Sequence, residues 1–226
     1  MIPEAKYMFR YEILVDHSET ANKCTILPLA YRGDFAIKRV RREKSAKSGQ
    51  LQSSLQLNSQ VLLHPDGIPL DQFIQKRELC TAVEPTVSIA AVDCVWRRLS
   101  PILDQVTVPL PPLVSIPSGF VTAYPRTSKF NFDPTGGLAT IEALFIAAAM
   151  FGNWDESLLR EYFFGDLFIQ LNTGTFMNFG VRRPTAVVPV VYRPMLQNSS
   201  LKRRRSRGRF FTEATMSGSS KSHQER

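Results

Sequence analysis

Polar residues that stand where apolar segments end are the part of this sequence best suited to do chemistry. Asp93 directly follows the apolar run 87–92, Thr25 follows a polar loop, and Thr140 opens an apolar helix behind a pair of glycines. The carboxyl ends of parallel strands meet at one edge of a sheet, where ligands bind, and a glycine-rich helix entry offers backbone N–H groups to anions. The pattern predicts a ligand site there, although the same residues can also serve as helix caps or turns.

Other kinds of site have no support in the sequence. The chain has three histidines and three cysteines, without HExxH or CxxC spacing, so neither a metal site nor a disulfide framework is expected. GxSxG, Walker A and GxGxxG motifs do not occur. The familiar hydrolase and nucleotide-binding mechanisms are therefore excluded as first choices.

The net charge of +8 is concentrated in two segments. Residues 202–226 carry eight basic and two acidic side chains, and residues 38–47 carry six basic and one acidic. The rest of the chain is mildly acidic. A mildly acidic body with two basic segments suits a polyanionic partner, while a merely solvated loop and tail are the alternative.

The elements that must position these residues alternate between strands and helices. Apolar and β-branched runs predict strands over 7–15, 26–29, 35–40, 61–63, 87–92, 110–116 and 187–192. Helical spacing predicts helices over 70–80, 96–103, 139–152 and 154–172. This alternation predicts an α/β fold with a mainly parallel sheet.

Five short motifs occur in an order that resembles a known family. They are KCT at 23–25 behind Asp16, LHPDG at 63–67, VDCVWRRL at 92–99, LPPLV at 110–114 and GLATIEAL at 137–144. In this order they resemble the ribosomal-RNA aminocarboxypropyltransferases of the SPOUT-like superfamily, over residues 11 to 172. The Asp-Cys-x-Trp element and the Leu-x-Thr-x-Glu-Ala-Leu helix start are the specific parts.

The resemblance implies a fold, a cofactor and residue roles. It implies a SPOUT-like sheet with helices on both faces, a deep C-terminal trefoil knot, and S-adenosyl-L-methionine bound in the knot. Thr25 would contact the aminocarboxypropyl end, Trp96 would pack beside the sulfonium methyl, and Asp93 would lie near the reacting base as proton acceptor or orienting group. The remaining cofactor contacts, largely through the backbone, would be Val92, Leu110, Gly136, Leu138 and Thr140.

The implied reaction transfers a 3-amino-3-carboxypropyl group to a uridine or pseudouridine of ribosomal RNA, with the small-subunit precursor as the implied partner. The alternatives are a SPOUT-type RNA methyltransferase, a transfer-RNA aminocarboxypropyltransferase like the related DTW-domain enzymes, and a non-catalytic ribosome-assembly factor. The segment SIPSGFVTAY at 115–124 departs from the family pattern, which leaves the target nucleotide open. Candidate phosphate contacts are Arg41, Arg42, Arg97, Arg98, Arg126, Lys129, Arg203, Arg204 and Arg205.

The domain organisation and cell compartment follow from composition. We expect an N-terminal strand region with a basic loop over 1–60, a catalytic domain over 61–195 and a disordered basic tail over 202–226. No apolar run reaches the roughly 18 to 20 residues that span a bilayer, and the first ten residues carry charges where a signal peptide is apolar. A cytoplasmic protein without a membrane partner is expected.

Overall fold

Five parallel strands form one sheet in the computed structural model, which describes residues 8–21, 23–41, 55–78, 86–125 and 137–185. The strands are β1 (Met8–Asp16), β2 (Phe35–Val40), β3 (Val61–Pro69), β4 (Thr86–Asp93) and β5 (Leu113–Ser115). Their order across the sheet is β2-β1-β4-β3-β5, and each neighbouring pair is parallel. The described residues belong to the unit Met1–Met195, and the second unit, Leu196–Arg226, lies outside them. The expected mainly parallel α/β sheet is confirmed.

Helices cover both faces of this sheet. The described α-helices are α1 (Leu70–Glu78), α2 (Leu99–Leu103), α3 (Thr140–Met150) and α4 (Gly165–Asn178). Because side chains alternate along a strand, Ile13 and Val15 of β1 pack into the larger core with α3 and α4, whereas Leu14 packs into a smaller core with Ile102 of α2. The carboxyl edge between these layers is where the predicted site residues converge.

Two predicted elements were wrong. Residues 26–29 were expected to be a strand, but Leu27–Leu29 forms a 3-10 turn because Pro28 lacks the N–H that a strand ladder needs. The helix expected over 154–172 is interrupted: Glu156–Leu159 is a separate 3-10 turn, capped by the Asp155 side chain, and α4 starts at Gly165.

Other expectations fall outside the described ranges or are not tested there. The strand predicted over 187–192 and the tail 202–226 lie outside the described residues, and the C-terminal knot stays a prediction. Residues 8–40 supply two strands to the same sheet as residues 61–115. Within the ranges that the structure describes, none of the helices has the length and apolar character needed to cross a bilayer.

Candidate functional site

A cavity of about 380 Å³ opens at the carboxyl edge of the sheet. Its walls come from the ends of three neighbouring strands, β4, β3 and β5, and from the start of α3. The lining residues are Leu63, His64, Pro65, Ala91, Val92, Cys94, Trp96, Leu99, Ser115, Ile116, Pro117, Ser118, Phe120, Gly137, Leu138, Thr140 and Ala143. The volume lies in the range of roughly 300 to 1,000 Å³ that small-molecule sites occupy, and the walls are mainly apolar.

A bulge in β3 brings its residues into the cavity wall. Leu63 and Ile68 both pair with Val114 of β5, so residues 64–67 leave the ladder between them. Gly67 passes so close to β5 that a Cβ there would lie 2.5 Å from the backbone N and C of Val114. The Ser115 hydroxyl donates a 3.0 Å hydrogen bond to the Gly67 carbonyl oxygen and fixes the bulge. The LHPDG motif, expected to end the strand in a turn, instead continues it after a bulge.

Asp93 joins three separate segments at the rim of this cavity. The Cys24 thiol donates to its Oδ2 over 2.7 Å, and the Thr140 hydroxyl donates to its Oδ1 over 2.6 Å. Asp93 is 9% exposed, and among the described residues it forms no ion pair. The loop after β1, the end of β4 and the start of α3 are thus connected through a carboxylate whose two partners are both neutral.

Two cysteines beside the cavity, Cys24 and Cys94, lie close to carboxylates. Burial, followed by the charges of Asp93, Asp16 and Glu19, raises the pKa of the cavity-lining Cys94 to about 12, and only Arg98 opposes this shift. Burial, then Asp93, also raises the pKa of Cys24 to about 12. Both thiols are therefore protonated at neutral pH, and the neighbouring carboxylates add to the shift that burial causes.

An ion pair fixes the turn that carries Trp96. Arg98 Nε donates a 2.8 Å hydrogen bond to Oδ2 of Asp16, the last residue of β1. Burial alone would raise the pKa of Asp16, but hydrogen bonds from Arg98 and Ser18 and the Arg98 charge outweigh burial and lower it to about 2. Because Trp96–Arg98 is one 3-10 turn, this pair holds Trp96 in the cavity wall.

The predicted cofactor residues divide by position. Val92, Trp96, Leu138 and Thr140 line the cavity. Thr25 and Asp93 are buried nearby but are not among the described lining residues, and Leu110 packs against the smaller core on the α2 face. Gly136 lies outside the described residues.

The candidate phosphate contacts divide in the same way. Arg41 and Arg97 are exposed and follow β2 and β4, at the same edge as the cavity, whereas Arg98 is paired with Asp16. The others, Arg42, Arg126, Lys129, Arg203, Arg204 and Arg205, lie outside the described residues.

Sequence patterns alone assigned no role to several residues of the cavity wall. His64 and Pro65 follow the apolar run of β3, and Ser115 ends β5, so the rule that ligands meet strand ends could have identified all three. Phe120 has no such signal, because its place in the wall depends on contacts with distant segments. Fold and site together define an α/β protein with a small-molecule cavity at the carboxyl edge of a parallel sheet.

Comparisons with known proteins give one similar structure. No family model matches the chain, and no curated protein matches it. The solved structure of the SAM-dependent rRNA:acp-transferase Tsr3 from Vulcanisaeta distributa is similar, with 18% identity and a TM-score of 0.49 over 76% of this chain and 83% of that chain. Similarity at this level assigns no function to the chain.

Proposed function

We propose that this protein binds S-adenosylmethionine in the cavity and transfers its 3-amino-3-carboxypropyl group to a uridine or pseudouridine of ribosomal RNA. One observation carries the proposal: the buried carboxylate of Asp93 has only neutral hydrogen-bond partners in the described residues and borders a mainly apolar cavity of ligand size. A small ligand that is both cationic and largely apolar satisfies both features. The motifs around Asp93 and Thr140 point to the same ligand.

The residues of the cavity fit such a ligand. Val92 and Leu138 offer apolar surface, and Thr140 offers an oxygen whose hydrogen is already donated to Asp93. Thr25, buried beside Cys24, supports the loop that donates to Asp93.

Three carbons are bonded to the sulfonium sulfur, and the one that reacts is the one that the cavity walls leave accessible to the RNA. Bound S-adenosylmethionine supplies an electrophilic carbon whose bond to sulfur breaks as a base nitrogen bonds to it, while 5′-methylthioadenosine leaves and the nitrogen's proton passes to solvent. Trp96 shields one side of the cavity, so the carbon held open toward the RNA is the one that reacts. Asp93 acts by charge and orientation: each of its oxygens accepts one hydrogen bond from the protein, which holds the carboxylate in place and leaves it able to accept a further donor from the ligand.

The RNA side of the proposal begins with the exposed arginines at the carboxyl edge. Arg41 and Arg97 contact phosphates next to the cavity mouth, together with the basic residues predicted outside the described ranges. Arg98 holds Trp96 in place through its ion pair with Asp16, and its positive charge acts closer to the cavity.

Calorimetry tests the ligand. The protein should bind S-adenosylmethionine about tenfold more tightly than S-adenosylhomocysteine, which lacks the sulfonium charge, and Asp93→Asn should reduce this preference to about twofold. Asp34→Asn is the matched control, since it removes a carboxylate paired with Arg32 directly before β2, at the opposite edge of the sheet. Absence of S-adenosylmethionine binding by the intact protein would favour a non-catalytic assembly factor.

Mass spectrometry of modified nucleosides tests the transferred group. Ribosomal and transfer RNA from cells lacking the protein, incubated with it and S-adenosylmethionine, should gain the aminocarboxypropyl group in the ribosomal fraction. Trp96→Ala should weaken binding about tenfold or allow some methyl transfer, because it removes the shielding indole. A methyl group as the wild-type product would identify a methyltransferase, and a product in the transfer-RNA fraction would change the substrate.

A further inference from the structure

A second buried carboxylate, Glu142, lies in the first turn of α3 and is 0% exposed. Four groups donate hydrogen bonds to it: the Thr122 hydroxyl over 2.7 Å, the Ala123 N–H over 2.9 Å, the Ala139 N–H over 2.8 Å and the Tyr162 hydroxyl over 2.8 Å. Both carboxylate oxygens are thereby satisfied by two donors each. The bond to Ala139 is half of a capping box, but the other three reach across the fold.

These donors belong to different walls of the structure. Thr122 and Ala123 belong to the segment 116–124, which has Ile116, Pro117, Ser118 and Phe120 in the cavity wall. Ala139 lies between Leu138 and Thr140, which also line this cavity and belong to a different segment of the chain. Glu142 therefore joins two segments that line the cavity, although it is not among the described lining residues.

The segment 116–124 has little regular structure of its own to hold it. Its described residues form no strand or helix after β5. Its other attachments run to α4, where Asn172 exchanges two hydrogen bonds with the Val121 backbone, at 2.7 and 2.8 Å, and the Thr175 hydroxyl donates to the Gly119 carbonyl. Glu142 connects this segment to the start of α3 through its bonds to Thr122, Ala123 and Ala139.

The electrostatic cost of Glu142 indicates that it does more than stabilise the fold. Among the described residues no basic side chain forms an ion pair with it, and its four described donors are neutral. Burying a charge in this way costs more than packing an apolar side chain of similar volume. What the carboxylate provides, and an apolar residue cannot, is a fixed distance between the segment 116–124 and α3.

We infer that Glu142 is a positioning residue of the cavity, which sets the separation of its two walls and through it the affinity for the ligand. This inference rests on the proposed function for the identity of the ligand, but the positioning itself does not depend on it. Glu142→Gln keeps the volume of the side chain and replaces an oxygen acceptor by an N–H donor. The wall that Thr122 and Ala123 hold should then loosen.

Glu156→Gln is the matched control. Glu156 is also a buried carboxylate, 3% exposed, but its partners are the Trp154 indole N–H and Arg183, which do not line the cavity in the described structure. Both variants should lower the urea midpoint of unfolding. Only Glu142→Gln should weaken S-adenosylmethionine binding, by about tenfold, while Glu156→Gln stays within twofold of wild type.

Two milder variants apply if Glu142→Gln fails to fold. Thr122→Val removes a donor on the segment 116–124, which supplies residues to the cavity wall, and Tyr162→Phe removes a donor that lies outside this segment. Thr122→Val should weaken binding severalfold and Tyr162→Phe should have a smaller effect. The inference is overturned if the two variants weaken binding equally, or if Glu142→Gln and Glu156→Gln do.

Hydrogen exchange separates this inference from the proposed function. Peptides covering 116–124 should exchange faster in Glu142→Gln than in Glu156→Gln, with no ligand present. Faster exchange in a protein that does not bind S-adenosylmethionine would reject the ligand and keep the positioning role. Unchanged exchange together with wild-type affinity would reject the positioning role and leave the ligand in place.

Discussion

The Thr140 hydroxyl donates a 2.6 Å hydrogen bond to Oδ1 of Asp93, which joins the first residue of α3 to the last residue of β4. A hydroxyl has one hydrogen, so Thr140, which lines the cavity, retains only acceptor capacity toward a ligand. The other oxygen of Asp93 is occupied by the Cys24 thiol. This arrangement selects a ligand that brings hydrogen-bond donors or positive charge to this end of the cavity.

Substitution of Thr140 tests this selection. Thr140→Val keeps the shape of the side chain but removes the acceptor and leaves Asp93 Oδ1 without its donor, which costs about 1–3 kcal/mol. We expect S-adenosylmethionine to bind about tenfold more weakly by calorimetry. Thr140→Ser, which keeps the hydroxyl, should stay within threefold of wild type. Equal affinities for the valine and serine variants would contradict the assigned role.

The Asp16–Arg98 pair predicts a specific acid sensitivity. The pKa of Asp16 is lowered to about 2 in the folded protein, from an ordinary value of 3.8. A lowered pKa stabilises the folded state above pH 4, and this contribution is lost as pH falls from about 4 to about 2. Asp16→Asn should therefore reduce the free energy of unfolding by about 2 kcal/mol at pH 7. The difference from wild type should shrink steadily toward pH 2.

Urea unfolding at several pH values measures this difference. Asp66→Asn is a suitable control, because the Asp66 side chain is 89% exposed and is not part of the Asp16–Arg98 pair. If the free energies of unfolding of Asp16→Asn and wild type differ by the same amount at pH 7 and pH 2.5, the ion pair with Arg98 does not stabilise the fold.

The close approach of Gly67 to β5 predicts that one methyl group added at Gly67 lowers the stability of the fold. A Cβ at this position would lie 2.5 Å from the Val114 backbone, which cannot move without disturbing the ladder. Gly67→Ala should lower the free energy of unfolding by about 1–3 kcal/mol and should also weaken ligand binding, since His64 and Pro65 lie on the same bulge. Gly33→Ala is the control, because no atom lies within 4 Å of its added Cβ. Equal denaturation midpoints for the two alanine variants would contradict the described bulge.

Local patterns in the sequence predicted the elements that carry Asp93 and Thr140. A parallel strand buried on both faces gives a continuous apolar run, and the run before Asp93 became β4 (Thr86–Asp93). The apolar residues that encircle α3 (Thr140–Met150) marked it as a buried helix. These signals are contained within one element, so no knowledge of the remaining fold was needed.

Features that depend on distant partners could not be predicted in this way. The bulge of β3 depends on Gly67 meeting Val114, 47 residues further along the chain. The four donors to Glu142 come from three segments that only the completed fold brings together. Arg98 was expected to contact phosphate, but its partner Asp16 lies 82 residues earlier. Single-sequence patterns contain no record of such pairings.

The charge of the tail predicts a salt-dependent role in RNA binding that is separate from the cavity. Residues 202–226 carry eight basic and two acidic side chains, and each cation that contacts a phosphate steepens the dependence of affinity on salt. Deleting the tail should weaken RNA binding at low salt and flatten the plot of log affinity against log salt, while the affinity for S-adenosylmethionine stays unchanged.

Triple variants separate charge from chain length in this experiment. Replacing Arg203, Arg204 and Arg205 by glutamine should reduce the salt slope by about 2, given roughly 0.7 for each phosphate contact with single-stranded RNA. Replacing the same residues by lysine keeps the charge and should preserve the slope. Filter binding at several salt concentrations measures the salt slope of both triple variants. An unchanged slope in the glutamine variant would show that RNA is held by the cations of the body, beginning with Arg41 and Arg97 at the carboxyl edge of the sheet.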